Sequence, residues 1–103
     1  LDDAEVKARL KASDIRANTR HTATDMGELL ARVQQVRRQG WALVNQELEE
    51  GLISIAAPVK NRAGAVVAAL NVSGQANRTS AAVMKDSMLP KLRAAADEVS
   101  ALL

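Results

Sequence analysis

The 103-residue sequence contains no cysteine, no phenylalanine and no tyrosine, and it has a single tryptophan. Without cysteine, neither a disulfide framework nor a thiolate metal site can form, which favours a reducing compartment. The longest apolar runs are broken at Pro58, Lys60 and Asn71, far short of the ~20 apolar residues that cross a bilayer. A chain of this length forms one domain at most. We therefore expect one soluble domain in the cytoplasm, without membrane contact.

Charge is nearly balanced, with 14 basic and 12 acidic residues and a net charge of +2. The basic side chains are dispersed among acidic ones, which supports solubility rather than nucleic-acid binding. The N-terminal stretch with Lys7, Lys11, Arg16 and Arg20 has no aromatic platforms for bases. We interpret it as a solvated face.

Candidate catalytic and metal-binding residues are few. His21 has no second histidine or cysteine to share a metal, so we assign it no role. Glu47, Glu49 and Glu50 form an acidic group, but their spacing does not fit an EF-hand and no nucleophile accompanies them. We expect no metal, no cofactor and no catalysis, and we interpret the acidic group as a solvated connection between strands.

The periodicity predicts three helices. Residues 2–12 begin with two acids and carry Val6 and Leu10 at i, i+4 spacing. Thr24 or Asp25 can cap a second helix that ends near Gly40. Ser80 can cap a third helix, kinked or restarted at Pro90, whose apolar face is predicted to contain Met84, Met88, Leu92, Ala95, Val99 and Leu102.

The central part of the sequence changes to strand-like runs. We predict strands at residues 41–45, 52–59 and 65–72, with a turn at "NRAG" and a loop at "SGQANRTS". The expected architecture is α+β, with three antiparallel strands and flanking helices. Because the strands are apolar on both faces, both faces of the sheet should be covered. The chain is therefore expected to be part of a larger assembly.

The stretches "RVQQVRRQGWALVNQELEEGLISIAAPVKNRAGAVVAALNVSG" and "LPKLRAAADEVSALL" resemble the end of the effector-binding domain of the IclR family of bacterial transcriptional regulators. The spelling "QGWALVNQELEEGL" with "VVAALNVS" is most similar to the branch that regulates catabolism of protocatechuate and related aromatic acids. The matched positions are Gly40, Glu47, Gly51, residues 56–59, Gly64, residues 66–70, residues 72–74 and residues 94–100.

The resemblance implies a GAF-like effector domain, with residues 1–103 forming its second half and no DNA-binding domain in this chain. It further implies a small organic acid as effector, DNA contact only through a separate domain, and a homodimer or homotetramer. Positions matching Leu52, Ser54, Asn71 and Ser73 line the effector pocket in relatives that bind small organic acids. Val44 stands where some relatives carry an acidic pocket residue, and Ser54 where some carry cysteine, so the ligand should differ from theirs.

The hairpin around "NRAG" determines how these polar residues meet. If Lys60 pairs with Ala65, then Ser54 lies opposite Asn71 and Leu52 lies opposite Ser73. The alternation of side chains then places all four on one face, which would combine an apolar wall with a few hydrogen-bond donors. The register depends on the turn, since a bulge at Gly64 would shift the pairing by one residue.

Other interpretations remain open on the residues alone. Ser54 and Asn71 could bond to each other beneath a helix as a satisfied polar pair of the core. The alanine-rich, aromatic-poor faces are also compatible with a structural oligomerisation module. A small enzyme is the weakest alternative, because no nucleophile and base are visible. Trp41 is expected to pack in a core or an interface rather than stack on a ligand.

Overall fold

The computed structural model describes residues 2–103 of the chain. Helix α1 spans Asp3–Ala12 and helix α2 spans Met26–Gln39. The Asp2 and Asp25 carboxylates each accept a bond from a backbone N–H of the first helical turn, and so cap the two helices. Gly40 ends α2 in the left-handed conformation, with φ of 79°. Both predicted helices are confirmed.

Three antiparallel strands follow in the order β1-β2-β3, with β2 in the centre. They are β1 at Ala42–Asn45, β2 at Leu52–Lys60 and β3 at Val66–Gln75. The predicted number, order and direction of the strands are confirmed. The predicted end of β3 is wrong, because Ser73, Gly74 and Gln75 continue the strand instead of opening the loop.

The predicted register of the hairpin is wrong by two residues. Ser54 pairs with Ser73, not with Asn71, and Leu52 pairs with Gln75. The cause is a wider turn, in which the Asn61 N–H donates to the Ala65 carbonyl, together with a register shift between Val59 and Lys60. Since the error is an even number of residues beyond this shift, Leu52, Ser54, Asn71 and Ser73 stay on their predicted face.

One face of the sheet carries the core. Burial alternates strictly along β2, and Ile53, Ile55 and Val59 are almost fully buried. These side chains pack against the C-terminal helical segment, and Trp41 packs at the margin of the same cluster, as expected for a core tryptophan.

The C-terminal segment restarts near Pro90, as predicted. Ser80 caps a short helix α3 at Ala81–Val83, a π-helical turn covers Met84–Met88, and helix α4 spans Leu89–Ala101. The π turn inserts one extra residue, so burial passes from Met84 to Leu89 and then follows helical spacing to Leu92 and Ala96.

The predicted apolar face of this segment is therefore only partly right. Ala95 is exposed, as are Val99 and Leu102, the last to 85%. No helix within residues 2–103 is long and apolar enough to cross a membrane.

Helix α1 contacts the rest of the protein chiefly through α2. The Arg37 guanidinium and the Gln34 side-chain amide both donate to the Asp3 carboxylate. These hydrogen bonds, with that from Arg37 the stronger cause, hold the pKa of Asp3 below the usual value for an aspartate.

Candidate functional site

The second face of the sheet is left uncovered by the helices and is called the open face here. It carries the alternate residues of each strand, namely Ala42, Val44, Leu52, Ser54, Ala56, Pro58, Ala69, Asn71, Ser73 and Gln75. All five residues expected at the effector site, which are Val44, Leu52, Ser54, Asn71 and Ser73, lie on this face. The predicted shared face is confirmed for Leu52, Ser54, Asn71 and Ser73.

The polar side chains lie together at one end of the open face, which we call the polar end. Ser54 and Ser73 are directly paired, and their hydroxyl oxygens are 2.8 Å apart. Val44 is paired with Ser54 from the other side and is 40% exposed. Asn71 is exposed opposite Ala56, two residues along β3 from Ser73. The polar end thus offers two hydroxyls and a carboxamide on a floor of aliphatic side chains.

The alternative interpretation, in which Ser54 and Asn71 bond to each other in the core beneath a helix, is wrong about both the partner and the location. The bonded pair is Ser54 with Ser73 rather than Ser54 with Asn71. Helices pack against Ile53 and Ile55 on the opposite face, so nothing within residues 2–103 buries the polar end. These groups are free to form hydrogen bonds to a molecule that approaches from the open side.

A shallow groove borders the polar end. It has a volume of about 720 Å³ and is lined by Leu52, Ser73 and Gln75 together with the connection at Glu49 and Glu50. Gln75 lies opposite Leu52 and was missed by sequence reasoning, because the strand was expected to end at Val72. Continued alternation through Ser73 and Gln75 was the signal that could have extended it.

The opposite end of the open face is mainly apolar, with Arg37 and Lys60 at its edge. A cavity of about 390 Å³ lies there between the C-terminal end of α2 and the sheet, beside Trp41, Ala56 and Ala69. Ala56 also pairs with Asn71. The cavity is therefore continuous with the polar end along β2 and β3.

Charge is absent from the centre of the open face. None of its ten side chains named above is ionisable, so an anion at the polar end would be bound by neutral donors. Hydrogen bonds to a charged partner are stronger than those between neutral groups. A neutral surface of this kind can bind and orient an acid, but it lacks a nucleophile with a general base.

The connection between β1 and β2 was predicted to be solvated, but the side chain of Glu47 is mostly buried. Glu47 accepts a 2.9 Å bond from the Ala23 N–H and pairs with Arg32. The hydroxyls of Thr19 and Thr22 donate to the carbonyls of residues 46 and 47. Glu47 thus fixes the loop that precedes α2 against the connection that leads into β2.

The remaining acidic and basic candidates lie on the surface. Glu49 and Glu50 are exposed, as predicted, and His21 is exposed beside Arg20. Lys7, Lys11 and Arg16 are exposed as well. Within residues 2–103, no three histidine, cysteine or carboxylate side chains are grouped closely enough to hold a metal ion.

Comparison with known proteins identifies the family to which the chain belongs. Residues 1–101 match the family described as "Bacterial transcriptional regulator IclR C-terminal". The chain belongs to this family, and the resemblance first suggested by the motifs is confirmed.

Individual relatives refine the comparison. The chain is 42% identical over 99 residues to the Pca regulon regulatory protein of Pseudomonas putida, covering 96% of this chain and 34% of that protein. It is 40% identical over 85 residues to the p-hydroxybenzoate hydroxylase transcriptional activator of Acinetobacter baylyi, covering 82% of this chain and 31% of that protein. The chain thus spans about a third of the length of these relatives.

Solved structures agree with the fold. A double mutant of the PobR inducer-binding domain from Acinetobacter, in complex with 3-hydroxybenzoic acid, superposes with a TM-score of 0.96 at 34% identity, covering 100% of this chain and 59% of that one. The C-terminal domain of the Escherichia coli regulator KdgR gives 0.85 at 38% identity, covering 98% and 61%. The α+β architecture is that of an IclR-type effector-binding domain.

Proposed function

We propose that the open face is part of the effector pocket of an IclR-type transcriptional regulator and that it binds a small organic acid from aromatic catabolism. Ser54 and Ser73, with Asn71 beside them, form hydrogen bonds to the carboxylate or an oxo group of the acid. Leu52 and Val44 supply the adjoining apolar contacts. Binding of the acid would favour one of two arrangements of the whole regulator.

The observation that carries this proposal is the position of the Ser54–Ser73 pair on an uncovered sheet face. A mainly apolar surface with a few convergent hydrogen-bonding groups is typical of small-molecule sites. A structure at a TM-score of 0.96 is an inducer-binding domain in complex with 3-hydroxybenzoic acid. That relationship favours an aromatic acid over other small acids.

The same proposal includes the domain organisation, the oligomeric state and the cellular location of the regulator. Residues 1–103 form one part of an effector-binding domain, and DNA is contacted by a separate domain. We propose a homodimer or homotetramer in the cytoplasm, with no cofactor and no catalytic activity. Family membership and the lack of ionisable side chains at the centre of the open face support these assignments.

An oligomerisation module is a second candidate. Val66 and Val67, at the start of β3, are 62% and 55% exposed, and exposed apolar strand residues favour pairing with another chain. Such a module would assemble without binding any acid. Sedimentation with and without ligand separates it from the effector site.

Isothermal titration of the intact protein with 3-hydroxybenzoate, 4-hydroxybenzoate and protocatechuate tests the effector proposal. Saturable binding without change to the ligand supports a sensor, and conversion of the ligand would support an enzyme instead. No binding of any of these acids or of their ring-cleavage products, from a folded intact protein, would contradict the proposal.

A further inference from the structure

We propose that the outward side of α4 binds the same surface of a second copy of the protein, with the two helices antiparallel. This surface, called the α4 outer face here, carries Lys91, Ala94, Ala95, Glu98 and Leu102. Because α4 packs on the buried side of the sheet, the α4 outer face points away from the open face. The proposal rests on the homo-oligomer proposed above and gives that oligomer one of its interfaces.

The spacing of residues along α4 separates a buried side from the α4 outer face. Leu89, Leu92 and Ala96 are buried against the sheet. The five residues of the α4 outer face are all exposed, and Leu102 is 85% exposed. Residues three or four apart lie on the same side of a helix. The five residues therefore form one continuous strip that nothing within residues 2–103 covers.

Lys91 and Glu98 are charged residues without an ionic partner on their own chain. In the part of the chain that the structure describes, neither forms a salt bridge. Ion pairs along a helix join residues three or four apart, whereas Lys91 and Glu98 are separated by ~10 Å along the helix axis. The residues between them that share this side are Ala94 and Ala95. The helix thus presents opposite charges that do not neutralise each other.

An antiparallel pair of α4 helices, with a two-fold axis between Ala94 and Ala95, satisfies both charges. Lys91 and Glu98 lie at equal distances on either side of this axis. The rotation therefore brings Lys91 of each copy beside Glu98 of the other copy, and two ion pairs form. The surface is self-complementary, as a two-fold interface requires. A parallel pair in register would instead bring like charges together, which is unfavourable.

The uncharged side chains of the α4 outer face favour close packing of the two helices. Alanine at residues 94 and 95 lets the helix axes approach to about 8 Å, the lower end of the usual range. Leu102 would then pack beside the half-buried Met88 of the second copy. Val99, 37% exposed at the margin, adds apolar area. Burial of this area stabilises the pair, and the charges specify its antiparallel register.

Sedimentation equilibrium of the intact protein tests the interface by exchanging its charges. Lys91→Glu and Glu98→Lys each convert both ion pairs of the two-fold interface into like-charge contacts. The double variant, with both substitutions in one chain, restores attraction with reversed polarity. Lys85→Glu is the control, because Lys85 is exposed just before α4 but lies outside the α4 outer face. Circular dichroism verifies that each variant is folded.

We expect the dissociation constant for association through this face to rise about tenfold in each single variant, because two exposed ion pairs are replaced by repulsion. The double variant should regain most of the original affinity, and Lys85→Glu should retain it. An equimolar mixture of the two single variants should also associate, because an acidic α4 outer face then meets a basic one.

Three other results would contradict the proposal, each in a different way. An intact protein that sediments as a monomer at every concentration would contradict both this interface and the proposed homo-oligomer. An oligomer that all the charge variants leave unchanged would preserve the homo-oligomer and overturn the interface. If the single variants lose association and their mixture does not recover it, the α4 outer face contacts a different segment of the protein. None of these results bears on effector binding at Ser54 and Ser73.

Discussion

Ser54 and Ser73 face each other across β2 and β3, and their hydroxyl oxygens are 2.8 Å apart on the uncovered side of the sheet. Each hydroxyl can donate one hydrogen bond and accept others. When one serine donates to its partner, the partner's proton remains available to a ligand. The pair therefore presents a donor to an incoming acid without an ionisable group.

Removing either hydroxyl should affect binding more than folding. For Ser54→Ala or Ser73→Ala, we expect the free energy of unfolding to change by less than ~0.5 kcal/mol, since the remaining hydroxyl can bind water. Affinity for the effector acid should fall by ~1.5–3 kcal/mol, the range for a hydrogen bond to a charged group. Urea denaturation and calorimetry measure the two quantities. Normal affinity with strongly reduced stability would make the pair a structural feature only.

Asn71→Leu should weaken effector binding by ~1.5–3 kcal/mol while the protein remains folded. Asn71 is exposed at the polar end of the open face, opposite Ala56, so leucine leaves no buried polar group without a partner. Asn45→Leu is the matched control, because Asn45 is an exposed asparagine on the opposite face of β1. Equal effects of the two substitutions on calorimetric affinity would exclude a specific role for Asn71.

Glu47→Ala should destabilise the fold by ~1–2 kcal/mol, because the Ala23 N–H loses its acceptor and Arg32 loses an ion pair. The Glu47 side chain is only 15% exposed. Glu47→Gln retains an acceptor oxygen and should cost less, and Glu49→Ala, at an exposed position, should cost under ~0.5 kcal/mol. Urea denaturation gives all three values, and an equal cost at residues 47 and 49 would contradict this account of the loop.

The attachment of α1 to α2 should be lost in acid. The pKa of Asp3 is lowered in the folded chain by hydrogen bonds, first from Arg37 and then from Gln34. The contribution of Asp3 is therefore fully present above the pKa of an unfolded aspartate and disappears as pH falls through the lower folded pKa. Amide chemical shifts of α1 should follow this titration and become flat in Asp3→Asn. Asp86→Asn should leave the titration intact, and a titration that survives Asp3→Asn would assign it to another group.

Sequence reasoning predicted the faces of the strands better than their pairing. The alternation of apolar residues along β2 determines which side chains are buried, whatever the turn. The register depends instead on a turn in which the Asn61 side chain accepts from the N–H groups of both Ala63 and Ala65. No periodic pattern encodes the accompanying shift at Val59 and Lys60.

The apolar face of the C-terminal helical segment was also predicted only in part. A uniform period of 3.6 residues links Met88 to Leu92 and then to Ala95, Val99 and Leu102. The π turn before Pro90 adds one residue to the helical turn. The buried positions after it are therefore Leu89 and Ala96 instead of Met88 and Ala95. The contacts of Glu47 with Ala23 and Arg32 were not predicted, because these partners lie 24 and 15 residues away in the sequence, beyond any local motif.

The most direct test of the central claim is a crystal structure of the intact protein with a bound hydroxybenzoate. The account predicts a carboxylate or oxo oxygen within ~3.2 Å of the Ser54 or Ser73 hydroxyl or of the Asn71 amide, on the open face of the sheet. A hydroxybenzoate bound only elsewhere, with these three side chains contacting other protein groups, would contradict it.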